Sequence, residues 1–410
     1  MNVTLHKIRQ RYEDSAIGNP FRVTGEQLQL NCPEIRDGMR VAIAVGSRGI
    51  ADIDVVTKTT VNYVKQQGGI PFIIPAMGSH GGATPEGQQR ILADYGITEN
   101  TAGAPVNATM EVVKLDSPSP FSVYMSKPAW EADGVIVINR VKPHTDYHGS
   151  YESGLAKMLV IGLGKHAQAL EIHKFGIRGL KEYLPEAART ICATGKILAG
   201  IGLVENRNDK LCRIEVIPGD AIMEREPKLL AAAAENMPSL PVDDIDLLIV
   251  DNIGKNYSGT GLDTNVIGRI RIAGESEPER PRIQRIIVRD ISPESHGNAL
   301  GIGMADVITR KLFDRIDFAS MYENAFTSTF LERVKIPFIA ENDHQAVTVA
   351  VRSCGPIDTD KLRIIRIRNT LHLNELYLSE SIYDEFVQSG HQFTYIRSGI
   401  LLDGMAMPDF

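Results

Sequence analysis

Long apolar runs and closely spaced cysteines are both missing from this sequence. No stretch reaches the roughly 20 apolar residues that a membrane-spanning helix needs. The four cysteines in 410 residues are far apart and form no CxxC pair, which argues against an iron–sulfur cluster or a cysteine-rich zinc site. We interpret them as reduced thiols in a reducing compartment.

A basic tract is also lacking. The formal net charge is -7, whereas nucleic-acid-binding proteins usually carry a cluster of lysines and arginines. The N-terminal segment has charges where a secretory signal peptide would need an apolar stretch. These absences predict a cytoplasmic protein that binds neither nucleic acid nor a membrane.

What the sequence does contain is a repeated alternation of β-branched runs and amphipathic segments. Residues 41–49, 69–82 and 134–144 are predicted to be buried strands that each run into a polar loop. The segments at 55–67 and 84–96 are predicted to be helices. This alternation indicates mostly parallel sheets flanked by helices.

Two α/β domains are expected, because 410 residues exceed one compact core. A proline- and acid-rich linker separates an N-terminal catalytic domain, 1–237, from a C-terminal substrate-capping domain, 238–410. A helical stretch is expected at 167–199. The chain from Leu362 onward belongs to the second domain or returns to the first. The active site is expected in the cleft between the domains.

Polar side chains follow all three predicted N-terminal strands. Arg48, His80 and His144 lie in the loops where these strands end. Ligands of parallel sheets gather beyond the carboxyl ends of the strands, so the pattern alone predicts a ligand site there.

The densest chemical segment spans residues 141–175. It holds four of the ten histidines, namely His144, His148, His166 and His173. Such crowding is typical of metal or acid–base chemistry, although a solvated loop and helix face is about equally plausible.

A single lysine, Lys157, lies in the apolar segment SGLAKMLVIGLG. A desolvated lysine can lose its charge and serve as a nucleophile or covalent anchor. Considered alone, the residue fits better as a lysine that extends its ammonium into water.

Taken together and in order, these segments resemble the lactate racemase family. The resemblance rests on VGSRG, GSHGGATPEG, VKPH and SGLAK, followed by His173. It covers the chain to about residue 180 and weakens afterwards.

The resemblance implies a nickel-pincer nucleotide as cofactor, a pyridinium-3,5-bisthiocarboxylic acid mononucleotide joined to a lysine. Lys157 matches the anchoring lysine, and His173 matches the histidine that binds nickel. Ser47 and Arg48 match the loop that holds the nucleotide, with Arg48 also near the substrate carboxylate.

The resemblance further implies a racemase or epimerase acting at C2 of a 2-hydroxyacid. His80 and His144 match its two acid–base histidines. Because the C2 hydrogen is a very weak acid, its transfer to the cofactor as hydride avoids a carbanion while one histidine takes the hydroxyl proton. Return of the hydride to the opposite face, with the second histidine donating, inverts the centre.

Three features complicate this assignment. His166 is predicted to share a helix face with His173, and the distance from Lys157 favours His173 as the nickel ligand. His148 lies close to His144 in sequence, and the VKPH context favours His144 as the acid–base residue. Val45 replaces the acid of lactate racemases, which puts lactate in doubt and leaves sugar acids or other polar hydroxyacids as candidates.

The second half offers further candidate substrate residues. Lys255 and Arg269 lie in a glycine-rich loop at 254–269 that lacks the Walker order, and His296 lies in a polar loop at 292–306. A purely structural loop is an equally good interpretation of the first segment.

The expected partners are a small hydroxyacid and the enzymes that make the cofactor, and a homo-oligomer is left open. Three alternatives remain: a pincer enzyme with another net reaction, a metal-dependent hydrolase that uses histidines and carboxylates, and a non-catalytic cofactor- or ligand-binding protein.

Overall fold

Two α/β units make up the chain, whose computed structural model describes residues 3–47, 49–117 and 119–410, without the side chain at position 327. One unit is Asp14–Met237. The other combines the segment that ends at Glu13 with Pro238–Phe410. Among the described residues, none of the helices has the length and apolar character needed to cross a bilayer.

The helices and strands are numbered in chain order. The strands are β1 (Thr4–Gln10), β2 (Arg40–Val45), β3 (Ile70–Pro75), β4 (Val112–Leu115), β5 (Val123–Ser126), β6 (Gly134–Arg140), β7 (Ile197–Glu205), β8 (Leu211–Pro218), β9 (Asp244–Ile253), β10 (Arg282–Ile291), β11 (Val307–Thr309), β12 (Phe338–Ala340), β13 (Ile364–Ile367), β14 (Glu375–Ser379) and β15 (Phe393–Ile400). The α-helices and helical turns are α1 (Pro20–Asn31), α2 (Ile53–Gln66), α3 (Pro85–Asp94), α4 (Glu99–Ala102), α5 (Lys127–Glu131), α6 (Leu155–Lys157), α7 (Lys165–His173), α8 (Gly176–Arg178), α9 (Leu184–Ala193), α10 (Ile222–Glu235), α11 (Thr264–Ile267), α12 (Arg310–Phe313), α13 (Phe318–Ser328), α14 (Asp343–Ser353) and α15 (Glu380–Gln388). The π-helical segments are Met158–Gly162 and Gly179–Tyr183.

A five-stranded sheet forms the centre of Asp14–Met237, in the order β3-β2-β6-β7-β8. The first four strands are parallel and β8 is antiparallel. Alternate residues of β2 enter two different cores: Ala42 and Ala44 pack on one face, Val41 and Ile43 on the other. Burial of both faces explains the continuous apolar run of β2 and confirms the expected α/β class.

The order of this sheet determines which loops meet. β2 lies between β3 and β6, and adjacent strands of a sheet are about 4.8 Å apart. The loops that follow these three strands therefore begin side by side at one edge.

An eight-stranded sheet forms the second unit, in the order β12-β11-β10-β9-β13-β14-β1-β15. The strands from β12 to β13 run parallel, and the last three pair antiparallel. β1 hydrogen-bonds to both β14 and β15, so the first strand belongs to this unit, whereas the sequence analysis placed it in the N-terminal domain. The strands after Leu362 stay in the same sheet, so this part of the chain does not return to Asp14–Met237.

The predicted N-terminal strands are confirmed, but the helical stretch at 167–199 is wrong at its end. α9 ends at Ala193 and β7 begins at Ile197. Gly195 adopts a left-handed φ of 70° between them, a conformation that ends helices and favours glycine. The apolar residues beyond it form a strand between β6 and β8 that the sequence analysis missed.

Candidate active site

The loop after β2 and the loop after β3 meet at a hydrogen bond between two predicted site residues. Ser47 Oγ lies 2.5 Å from His80 Nδ1, and both side chains are half-buried. The bond fixes one nitrogen of the His80 ring against the neighbouring loop. Arg48, the adjacent predicted residue, lies outside the described residues.

The loop after β6 brings His144 onto Lys157. Lys157 Nζ lies 2.5 Å from His144 Nε2, and His144 Nδ1 accepts a hydrogen bond of 3.0 Å from the backbone N–H of Asp146. Because Nδ1 is an acceptor, a neutral His144 carries its proton on Nε2 and donates it to Lys157. Only an uncharged amine can accept that proton. The two bonds therefore fit Lys157 with an available lone pair.

A buried carboxylate, Glu152, shapes the loop that carries His144. Its Oε2 accepts a hydrogen bond of 2.6 Å from the backbone N–H of His144, and its Oε1 accepts one of 3.0 Å from Gly149. His148 Nδ1 lies 3.3 Å from the same Oε1. Of the two competing histidines, His144 is the one that contacts Lys157.

A second buried carboxyl holds the helical turn of Lys157. Glu226, on α10, is completely buried, and its Oε2 accepts a hydrogen bond of 2.7 Å from the backbone N–H of Ala156. Burial raises the pKa of Glu226 to about 7, against the opposing effect of hydrogen bonds from Ala156 and Leu155. Gly154 makes room for this carboxyl, since a Cβ there would lie 2.0 Å from Oε1.

Close backbone contacts pack the segment after Lys157 against the loop of His80. A Cβ on Gly162 would lie 2.8 Å from the carbonyl oxygen of Ala76. A Cβ on Gly78 would lie 2.9 Å from Ile161 Cγ2. The loop of His80 and the π-helical segment behind Lys157 thus form one packed assembly.

His173, the predicted metal ligand, ends α7 within electrostatic range of Lys157. Its side chain is exposed, yet the protein around the ring lowers its pKa by desolvation, and Asp146 opposes this effect. Lys157 would lower the pKa of His173 further only in its charged form. A lowered pKa favours the neutral imidazole, the form that binds metals. His166 is exposed on the same helix. Over residues 3–47, 49–117 and 119–410, no group of three or more His, Cys, Asp or Glu side chains is arranged to hold a metal ion.

The three candidate substrate residues of the second half lie in the other unit. Lys255 Nζ donates to the carbonyl oxygen of Gly259 at 2.5 Å, and His296 is exposed with a left-handed φ of 48°. Arg269 is only 8% exposed. Its guanidinium donates to Met304 O, Asp306 Oδ2, Ile283 O and Gln284 O. These contacts favour the structural interpretation of Arg269.

Glu152, Glu226 and Lys165 are buried ionisable residues that the sequence analysis did not single out. Glu226 could have been found from the sequence, because it shares a helix face with Ile222 and Leu230. A charged side chain is rarely buried on an apolar face unless it has a partner. Glu152 lies in an irregular loop and Lys165 is the first residue of α7, so helical periodicity marks neither of them.

Comparison with known proteins supports the fold. No protein-family model matches the sequence, and no curated protein matches it. Among solved structures, the lactate racemase apoprotein from Thermoanaerobacterium thermosaccharolyticum is similar, with a TM-score of 0.55 and 12% identity over 90% of this chain and 99% of that one. At this identity the likeness is one of fold.

Proposed function

We propose that the chain is a racemase or epimerase that inverts C2 of a 2-hydroxyacid with a nickel-pincer nucleotide anchored on Lys157. The contact between Lys157 Nζ and His144 Nε2 carries the proposal. It joins the residue that would bind the cofactor to one that would move the substrate proton. The likeness in fold to a lactate racemase apoprotein supports it at a coarser level.

The residues around Lys157 fit such a cofactor. An uncharged amine is the form that forms a thioamide, and the hydrogen bonds of His144 suit that form. His173 would supply an imidazole ligand, which suits nickel beside sulfur donors. Ser47, with Arg48, would hold the nucleotide part. When bound, the cofactor supplies an electrophilic ring carbon that takes up the C2 hydride and returns it.

His80 and His144 are the proposed acid–base residues. Ser47 engages Nδ1 of His80, so we assign the substrate hydroxyl to its Nε2. His144 Nε2 faces Lys157 before loading. With a cofactor held on Lys157 through a thioamide, that nitrogen would have no lone pair to accept a hydrogen bond, so the proton on His144 Nε2 would be available to the substrate. Each histidine then alternates between acid and base near neutral pH.

The position of Val45 favours a substrate other than lactate. Val45 is the last residue of β2 and is fully buried in a hydrophobic core. The position where lactate racemases have an acid therefore presents no polar group to a ligand here. We propose a polar hydroxyacid other than lactate, with Arg48 as the partner of its carboxylate.

The proposal is tested with cofactor-loaded protein and a panel of enantiopure 2-hydroxyacids deuterated at C2. We expect inversion of at least one acid with deuterium retained, because a hydride passed to the cofactor and back does not exchange with water. Replacement of His80 or His144 by glutamine should lower kcat by roughly a hundredfold or more.

The exposed His166→Gln on α7 is the matched control and should retain activity. Wash-out of deuterium would indicate a carbanion mechanism and contradict the proposal. So would the absence of inversion for every acid by fully loaded protein.

A further inference from the structure

Lys165 is a buried lysine that the proposed chemistry does not use. It opens α7, is 1% exposed, and adopts a left-handed φ of 57°. A left-handed conformation is costly for a long side chain and persists where the surroundings enforce it. Here it directs the side chain inward, away from the water that a lysine normally reaches.

The Lys165 amine links two parts of the loop that carries His80. Nζ donates to the carbonyl oxygen of Pro75, the last residue of β3, and to Gln88 Oε1 at 3.1 Å. Both acceptors are uncharged. Burial lowers the pKa of Lys165 to about 8, which reflects a cation in apolar surroundings.

Gln88 continues the connection to His80. Its side chain is completely buried, and its Nε2 donates to the carbonyl oxygens of Gly78, at 2.8 Å, and His80, at 3.3 Å. The loop from Pro75 to His80 is therefore held at three carbonyls by one lysine and one glutamine. The loop ends at the His80 ring, which contacts Ser47.

We propose that Lys165, acting through Gln88, is a positioning residue that fixes the His80 imidazole against Ser47. The proposal rests on the proposed acid–base role of His80. Lys165 acts on the backbone of the loop and not on the substrate. It orients the imidazole, because a loop that loses the contact at Pro75 and the support of Gln88 gains alternative conformations in which the ring turns away from Ser47.

The first test uses cofactor-free protein, so that it is independent of the proposed reaction. The ¹⁵N resonances of the His80 ring, assigned with His80→Gln, report which ring nitrogen is hydrogen-bonded. In Lys165→Met we expect these resonances to shift towards those of Ser47→Ala, in which the hydrogen bond is removed directly.

Two further variants sharpen the result. Gln88→Glu keeps an acceptor for Lys165 but removes the Nε2 donor to Gly78 and His80, and it should shift the His80 resonances in the same direction. Lys196→Met is the matched control, because Lys196 Nζ also donates to a backbone carbonyl, that of Ala132 at 2.8 Å, away from this loop. It should leave His80 unchanged.

Unchanged His80 resonances in folded Lys165→Met or Gln88→Glu would overturn the proposal. If Lys165→Met does not fold, Gln88→Glu decides the question, since its ion pair with Lys165 offsets part of the cost of burial. In loaded enzyme, mispositioning should lower kcat roughly a hundredfold while KM changes by less than about threefold. A shift of the His80 resonances in an enzyme that inverts no hydroxyacid would uphold the positioning and contradict only the proposed function.

Discussion

Single side chains set the protonation states that the site needs. His144 accepts at Nδ1 and faces Lys157 with Nε2, an arrangement that suits an uncharged amine. Glu226 holds the turn of Lys157 with a buried carboxyl whose pKa is raised to about 7 by desolvation. Lys165 is the corresponding buried cation, with its pKa lowered to about 8. Desolvation thus shifts the pKa of Glu226 upwards and that of Lys165 downwards, in each case towards the neutral form.

The carboxyl of Glu226 should make stability depend on pH. Folding raises its pKa from 4.5 to about 7, so the folded state binds the proton more tightly and loses stability as pH rises through this window. The shift corresponds to about 3 kcal/mol. Glu226→Gln is neutral throughout, so the free energy of unfolding of the wild type relative to this variant should fall by about that amount from pH 5 to pH 8.

Chemical denaturation at the two pH values measures this difference, and the other titrating groups cancel between the two proteins. An equal difference at pH 5 and pH 8 would mean that Glu226 titrates as an exposed carboxyl does. The assignment of Glu226 as a buried carboxyl that holds the helical turn of Lys157 would then be wrong.

The residues of the site could be anticipated from sequence only in part. His80 and His144 lie in loops that follow predicted strands, and Lys157 lies in an apolar segment. The order of these motifs along the chain indicated that they belong to one site. Glu152 and Lys165 could not be found, because their burial results from loop conformations that no periodic pattern encodes. Whether Lys157 reaches water or a histidine was likewise undecided, since that depends on where the loop of His144 folds back.

Elements bring these residues together through close backbone packing. The π-helical segment Met158–Gly162 follows Lys157 and contacts the loop after β3 through Gly162 and Gly78. π-helical turns often occur at functional sites, where they redirect side chains. Strand alternation predicted β2, β3 and β6, but β7 was missed because only the three residues 194–196 separate its apolar run from that of α9.

A methyl group at Gly162 should disrupt this packing. The added Cβ would lie 2.7 Å from Met158 Sδ and 2.8 Å from the carbonyl oxygen of Ala76, and the backbone cannot yield as a flexible side chain would. Gly162→Ala should lower the free energy of unfolding by about 1–3 kcal/mol in urea denaturation. Gly149→Ala, where no atom lies within 4 Å of the new Cβ, is the control. Equal stability of the two variants would refute the close approach.

On the scale of the whole molecule, the two units do not simply follow one another along the sequence, because the segment that ends at Glu13 belongs to the same unit as Pro238–Phe410. The switch near residue 238 was indicated by a proline- and acid-rich segment, and the chain does divide at Met237 and Pro238. The membership of β1 was not visible, because strand pairing across more than 360 residues leaves no local signal. Ile8 of β1 is completely buried in the core beside Leu376 and Leu378.

The placement of β1 predicts a selective loss of stability. Ile8→Ala should destabilise the second unit by about 2–5 kcal/mol through the cavity that it leaves. Hydrogen exchange should accelerate in β14 and β15 and stay unchanged in β2. Ile43→Ala, at a fully buried position of β2, should give the reverse pattern. Faster exchange in β2 alone after Ile8→Ala would contradict the assignment of β1.

The central claim is that Lys157 anchors a nickel-pincer cofactor. Intact mass, peptide mapping and nickel analysis should be carried out on protein produced together with the cofactor-making enzymes. The account predicts an adduct on Lys157 with about one nickel per chain, absent in Lys157→Ala and retained in the exposed control Lys174→Ala. An unmodified Lys157, under conditions that load a known lactate racemase, would contradict it.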